Sequence, residues 1–321
     1  MRGTISLLML MFLCSVTACA QDMSGNHNHS AASSDNMVSQ EWAKQRVEKS
    51  PRHREWVKVK NGTREVNSFI VYPESNKKAT AVIVIHEIFG MSDWVQQMTD
   101  EIAEAGYIAI APDLLSGMAP NGGGTAELVA TGNNAVGQAI RALPPDQIGG
   151  DLNAVADYVS KLPGANGKVT AGGFCWGGST TFLFATRRPT LKAAFVFYGS
   201  APGNNTQGQP YAVDKAALGK IGAPVYGFYA ENDMRINATI EATTDAMKEL
   251  KKTYDPVKYA GAGHGFMRAG EPNAAPPNPP TPKGDEAADQ KAMDDYKKMI
   301  QANRKAHDDA WTRWMAILAK L

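Results

Sequence analysis

Apolar and polar positions fall into three textures along the chain. An apolar run, Ile5 to Leu13, is followed by a small and polar stretch from residue 20 to about 40, "AQDMSGNHNHSAASSDNMVSQ", which reads as a flexible tether. From Glu55 onward the pattern becomes that of packed elements. "EWVKVK", Asn61-Gly62 and "TREVNSFIVY" predict a β-hairpin turning at Asn-Gly. Ala81 to His86, "AVIVIH", is a continuous apolar run of the kind shown by strands covered on both faces. A helix is predicted over Asp93–Ala105, closed by Gly106. Next come "YIAIAPDLL" as a strand, "DLNAVADYVSKL" as a helix with Asp151 as its N-cap, and "GKVTAGGFC" as a strand. "LKAAFVFYG", "APVYGFYAEND" and "PVKYAGAGHGF" supply three further strands. Alternation of this kind predicts an α/β fold, with a mostly parallel central sheet, helices on both faces and an N-terminal β-hairpin.

Two segments break the rhythm. Gly117 to Gly150, with "NGGG" and "LPPDQIGG", reads as a long glycine-rich loop, either a lid or a surface insertion. "GEPNAAPPNPPTPKG", residues 270–284, cannot be regular structure. The chain closes with a helical stretch that sets Trp311, Trp314, Met315, Leu318 and Leu321 on one face, a packing stripe.

Composition adds location and excludes one class of partner. Lys plus Arg number 33 against 32 for Asp plus Glu, with no long cationic run, so a nucleic acid is not an expected partner. The first 19 residues, one arginine followed by a short apolar run and small residues, read as a secretory leader too short to span a bilayer. Val16-Thr17-Ala18-Cys19 resembles a bacterial lipobox, with Cys19 as the lipidated residue. Ala18-Cys19-Ala20 also fits ordinary cleavage and a soluble secreted product. The expected product is therefore exported, to the periplasm or as an outer-membrane lipoprotein, and meets a membrane only through that anchor. The chain divides into a leader at 1–19, a polar tether and extension at 20–54, and one folded domain at 55–321. His27 and His29 in the tether lack the Cys or carboxylate partners of a metal site.

Of three cysteines only Cys175 lies in the folded part, which leaves no partner for an intramolecular disulfide. It sits in "GGFCWGG", where a strand turns sharply into a helix and a hydrolase elbow would present serine. A helix starting near Trp176 would aim its N-terminal dipole at the sulfur and favour thiolate. The bland alternative is a small buried core residue. Asp233 ends one predicted strand and His264 follows another, so the order is Cys, Asp, His, as in the triads of α/β-hydrolases. An imidazole takes and returns a proton while a carboxylate fixes its tautomer. "HEIFG", residues 86–90, follows the first parallel strand, where this fold draws one oxyanion-hole amide. That nominates the backbone N–H groups of Ile88 and Trp176, with Glu87 beside the nucleophile.

"HEIFG", "APDLL", "GFCWGG", "END" and "HGF" together resemble the dienelactone hydrolase, or carboxymethylenebutenolidase, family over roughly residues 55–321. The resemblance implies an α/β-hydrolase fold and a triad of Cys175, Asp233 and His264, with Glu87 regulating the thiol. It also implies cleavage of a small ester or enol-lactone through a thioester, without metal or organic cofactor. Type members bind the substrate carboxylate with two arginines. One is matched by Arg268, which could equally be a structural ion pair; Gly117 stands where the other would be. A broad carboxylesterase or thioesterase, and a non-catalytic binding protein on the same scaffold, remain the alternatives.

Overall fold

The structure, a computed structural model, describes residues 37–132, 134–204, 209–269 and 280–321. The leader with Cys19, most of the tether with His27 and His29, and residues 270–279 of the proline-rich segment lie outside the described residues. In chain order the main elements are α1 Glu41–Lys49, β1 Arg54–Asn61, β2 Arg64–Val71, β3 Ala79–Ile85, α2 Asp93–Glu104 and β4 Ile108–Pro112. Then follow α3 Thr125–Thr131, α4 Ala135–Ala142, α5 Pro145–Ser160, β5 Ala165–Phe174, α6 Trp176–Arg187 and β6 Ala194–Phe197. β7 Val225–Ala230, α7 Met234–Glu249, β8 Tyr254–Tyr259 and α8 Glu286–Leu318 complete the chain.

Eight strands form one sheet in the order β1-β2-β4-β3-β5-β6-β7-β8. β1 and β2 are antiparallel to each other, β2 is antiparallel to β4, and every later pairing is parallel. This is the predicted hairpin followed by the predicted parallel sheet. The hairpin register differs by one residue: Asn61 pairs with Arg64, so the loop is Gly62-Thr63. Gly62, at φ +61°, occupies the first loop position, where a II′-type turn requires positive φ.

Alternation along the strands sends side chains into two layers. Val82 and Val84 of β3, Ala109 and Ala111 of β4, and Phe195 and Phe197 of β6 pack with Trp94 and Met98 of α2 and Trp314 and Leu318 of α8. On the opposite face Ile83 and Ile85 of β3 and Ile108 and Ile110 of β4 meet Leu152, Val155 and Val159 of α5. Ala194 and Val196 of β6 meet Phe182 of α6 and Ile240 of α7 there. The C-terminal stripe is packing, as its spacing predicts, with Trp314 fully buried.

Three expectations are corrected. Asp151 is not a helix N-cap: α5 begins at Pro145, using proline at its first position. Asp151 lies inside the helix, fully buried, and accepts hydrogen bonds from Arg64 Nε (2.8 Å) and Asn61 Nδ2 (2.9 Å). Gly149 and Gly150 do not break this helix because they admit close neighbours. A Cβ on Gly149 would lie 2.6 Å from the Arg187 side chain, and one on Gly150 2.8 Å from Asn61. Second, Gly117–Gly150 is not one loop, since α3, α4 and the start of α5 fill most of it. Third, packed structure begins before residue 40. Val38, Ala43 and Val47 are buried, and Arg52 pairs with the buried Asp100 at 2.6 Å.

Candidate active site

Every candidate residue in the folded domain lies on a loop at the C-terminal edge of a strand or on the element that follows, where open parallel sheets gather their chemistry. Cys175 follows β5 with φ +57° and ψ −116°, a conformation rare for a non-glycine residue. Neighbouring glycines make so tight a turn possible. A Cβ on Gly173 would stand 2.2 Å from the Gly177 carbonyl oxygen, and one on Gly177 2.3 Å from the carbonyl oxygens of Ile85 and His86. The backbone N–H of Cys175 donates to the Phe197 carbonyl (3.0 Å), tying the elbow to β6. Trp176 opens α6, and its N–H belongs to the first turn, whose amides have no intrahelical acceptor.

Asp233 and His264 come from the ends of β7 and β8. Asp233 is the N-cap of α7: one oxygen, Oδ1, accepts from Ile236 N–H (3.3 Å), and Oδ2 accepts from His264 Nδ1 at 2.5 Å. With Nδ1 committed to the carboxylate, Nε2 is the ring nitrogen left for chemistry, and Cys175 is among the groups whose charge acts on the ring. Burial works against a charged His264, but Asp233 and then Cys175 outweigh it and raise the ring to about 10. Burial also works against the Asp233 carboxylate. His264 and the Ile236 amide prevail and hold it below its ordinary value. The loop carrying His264 is pinned by α8, where Asn303 Oδ1 accepts from Gly263 N–H (2.7 Å).

The "HEIFG" loop is rigidly held. His86 is fully buried, with Nδ1 donating to the Glu87 carbonyl (2.8 Å) and Nε2 accepting from Leu114 N–H (3.3 Å). This pattern requires a neutral ring, and burial lowers its pKa accordingly. The ring stacks on Trp176 at 5.4 Å, coupling the loop to the elbow. Thr125 Oγ1 accepts from Met91 N–H (3.0 Å) and donates to Asp113 Oδ1 (2.8 Å), so the residues after β3 and β4 share one anchor.

Glu87 is buried, with Arg268 as its counter-charge. Arg268 Nε donates to Glu87 Oε2 at 2.6 Å, and a second guanidinium nitrogen also contacts that oxygen. The guanidinium stands over the rings of Trp94 (4.7 Å) and Phe89 (5.2 Å). Of the two sequence readings of Arg268, the described structure contains the ion pair. Gly117 lies in a turn at φ +78°, and a Cβ there would be 3.3 Å from the guanidinium of Arg64, which is itself engaged with Asp151. The described geometry therefore joins His264 with Asp233 and Glu87 with Arg268, with Cys175 on the elbow at the same edge of the sheet.

Residues 66–321 match the model of the dienelactone hydrolase family. The chain belongs to that family. It is an enzyme, a hydrolase of the dienelactone hydrolase type. A related protein of Yersinia pestis, "Putative carboxymethylenebutenolidase", is 34% identical over 205 residues, covering 63% of this chain and 74% of its own. Among solved structures, "Putative Dienelactone Hydrolase" from Klebsiella pneumoniae superposes with a TM-score of 0.63 at 22% identity, covering 84% of this chain and 99% of its own. A dienelactone hydrolase from Anabaena variabilis gives 0.51 at 18% identity, covering 77% and 98%. At these identities the two structures speak for the α/β-hydrolase fold.

Three residues of this hydrolase escape a reading of the sequence. Tyr198, at the end of β6, is fully buried at φ +40° and meets the His264 ring edge-on at 4.9 Å. Burial, then the negative charge of Glu87, push its phenol well above the ordinary range. Its position right after "AFVF" was the available signal. Asn303 and Gln40 had none, because their partners are remote in sequence.

The Asp233–His264 pair makes stability depend on pH. His264 is raised from 6.5 to about 10, so its contribution is complete below about pH 6.5 and is lost as pH rises through 10. Asp233 is lowered from 3.8, so its contribution is present above about pH 4 and is lost as pH falls through the lower folded value. The Tm gap between wild type and His264→Ala is expected to be widest between about pH 4 and 6.5 and to shrink toward pH 10. Thermal melts across that range check this, and a gap independent of pH would contradict it.

Proposed function

We propose that this protein hydrolyses a small carboxylic ester or enol-lactone through a covalent thioester on Cys175. The observation that carries the proposal is the hydrogen bond of His264 Nδ1 to Asp233 Oδ2, set at the same sheet edge as the positive-φ elbow of Cys175. In this reading His264, raised to about 10, already holds the thiol proton when sulfur attacks the carbonyl carbon, and the amides of Ile88 and Trp176 receive the oxyanion. Collapse of the tetrahedral adduct breaks the carbonyl carbon–oxygen bond. His264 then protonates the departing alkoxide or enolate. Water, deprotonated by the same imidazole, cleaves the thioester and restores the thiol. Glu87 places its charge beside this sequence of proton transfers and is held there by Arg268.

The test is a panel of p-nitrophenyl acetate, longer p-nitrophenyl esters and a dienelactone, with acid quenching and mass spectrometry of the peptide that carries Cys175. The expected result is turnover and one acyl group trapped on that peptide. Turnover with acylation elsewhere, or none on any substrate, would refute the mechanism.

The same proposal extends to location. The apolar leader ending in Val16-Thr17-Ala18-Cys19 supports export with lipid on Cys19. The mass of the mature N-terminus is expected to correspond to an acylated Cys19; an unmodified N-terminus elsewhere would rule the anchor out.

A further inference from the structure

His86 is a fully buried imidazole with no part in the proton transfers assigned above. Its two hydrogen bonds fix its form. The Glu87 carbonyl can only accept, so Nδ1 carries the proton; the Leu114 N–H can only donate, so Nε2 offers its lone pair. The ring lies nearly parallel to the indole of Trp176, with 16° between the planes.

The bond at Nδ1 acts on the peptide unit that joins Glu87 to Ile88. That unit is planar and trans, so its N–H points opposite its C=O. The carbonyl is drawn to the buried imidazole at 2.8 Å and also accepts from Gly90 N–H at 3.1 Å. The Ile88 N–H is therefore turned away from the imidazole, and it has no acceptor among the described residues. Rotating this peptide would bring the carbonyl oxygen to the place of the N–H, a dipole of the wrong sign for a developing oxyanion. The Glu87 side chain is anchored separately by Arg268, whose Nη1 donates to Gln40 Oε1 at 3.2 Å. Holding the carboxylate and holding the peptide are thus the tasks of different residues.

We propose that His86 is a positioning residue for the hydrolysis: by holding the Glu87 carbonyl, its Nδ1–H keeps the Ile88 amide free and oriented to receive the oxyanion. This rests on the reading of Cys175 as an esterolytic nucleophile and of Ile88 as an oxyanion donor.

The experiment uses the full-length protein and two nearly isosteric replacements, His86→Asn and His86→Leu. Both delete the Leu114 contact and the stack on Trp176, but only asparagine retains an N–H, at the place of Nδ1, for the Glu87 carbonyl. Three quantities are read: kcat on p-nitrophenyl acetate, inhibition by a trifluoromethyl ketone, and the rate at which iodoacetamide alkylates Cys175. Addition of the thiolate to the ketone forms a carbon–sulfur bond and leaves an oxyanion, whereas alkylation displaces iodide and forms none. His86→Leu is expected to lower kcat by about ten- to hundredfold relative to His86→Asn and to weaken the ketone by a similar factor, approaching the loss of one oxyanion donor. Alkylation is expected to differ by less than about threefold, since a general loosening of the site would slow it together with turnover. If His86→Leu does not fold, His86→Phe, which keeps a ring beside Trp176 without a donor, takes its place. Equal kcat in the two variants within about threefold, or alkylation falling in step with kcat, overturns the proposal. A folded His86→Asn that loses more than about tenfold against wild type overturns it as well. Wild type without Cys175-dependent hydrolysis would instead sink the functional reading beneath it.

Discussion

Cys175→Ala is expected to abolish hydrolysis of p-nitrophenyl acetate, lowering kcat by at least about 10³-fold while leaving the melting temperature within a few degrees. The sulfur is the only atom proposed to form a bond to substrate. Its removal leaves the amides of Ile88 and Trp176 and the binding surface, which give only residual rate. The fold is expected to survive because the turn is held by backbone packing: Gly173 and Gly177 keep the approaches that set the elbow. Alanine has the same Cβ constraint at φ +57° as cysteine. The check is steady-state turnover beside a thermal melt. Activity above about one tenth of wild type would show that the nucleophile is elsewhere.

Asp233→Asn is expected to reduce kcat by about 10³- to 10⁴-fold, with a smaller effect on KM. The carboxylate accepts a hydrogen bond from Nδ1–H, which leaves Nε2 as the nitrogen available for proton transfer in the proposed mechanism. An amide can present its NH₂ to the ring instead, and the other tautomer then dominates. The helix need not suffer, since the asparagine oxygen can still cap α7 through Ile236 N–H. Stopped-flow measurement of acylation and deacylation is expected to show both steps slowed, because the proposed mechanism uses His264 in each. A loss under tenfold would mean that another group orients the ring.

The sheet and the positions of Cys175, Asp233, His264 and Glu87 could be read from local signals. Buried parallel strands are continuous apolar runs, and the elbow writes its own geometry into the sequence, because Gly173 and Gly177 must lack side chains for backbone to pass. What was misread also involved glycine. Gly149 and Gly150 look like breakers, yet they sit inside α5 because Arg187 and Asn61 need the space a Cβ would take. That displaced the start of the helix by six positions and turned the buried partner of Arg64 into a supposed cap. In the same region the short helices α3 and α4 were hidden by their flanking Gly and Asn residues. Gln40 and Asn303 were invisible for another reason: each acts through one long-range hydrogen bond, and no periodicity records such a contact.

The long C-terminal helix also governs the order in which the enzyme comes into being. Trp314 packs against Gly172 in the strand leading to Cys175, and Asn303 grips the loop that carries His264, yet α8 follows every described strand. Contacts of such separation are rewarded only after the loop-closure entropy has been overcome. This edge of the sheet is therefore expected to assemble late, after the strands that carry it. During refolding, enzymatic activity is accordingly expected to return with docking of α8, after the spectroscopic signal of the sheet.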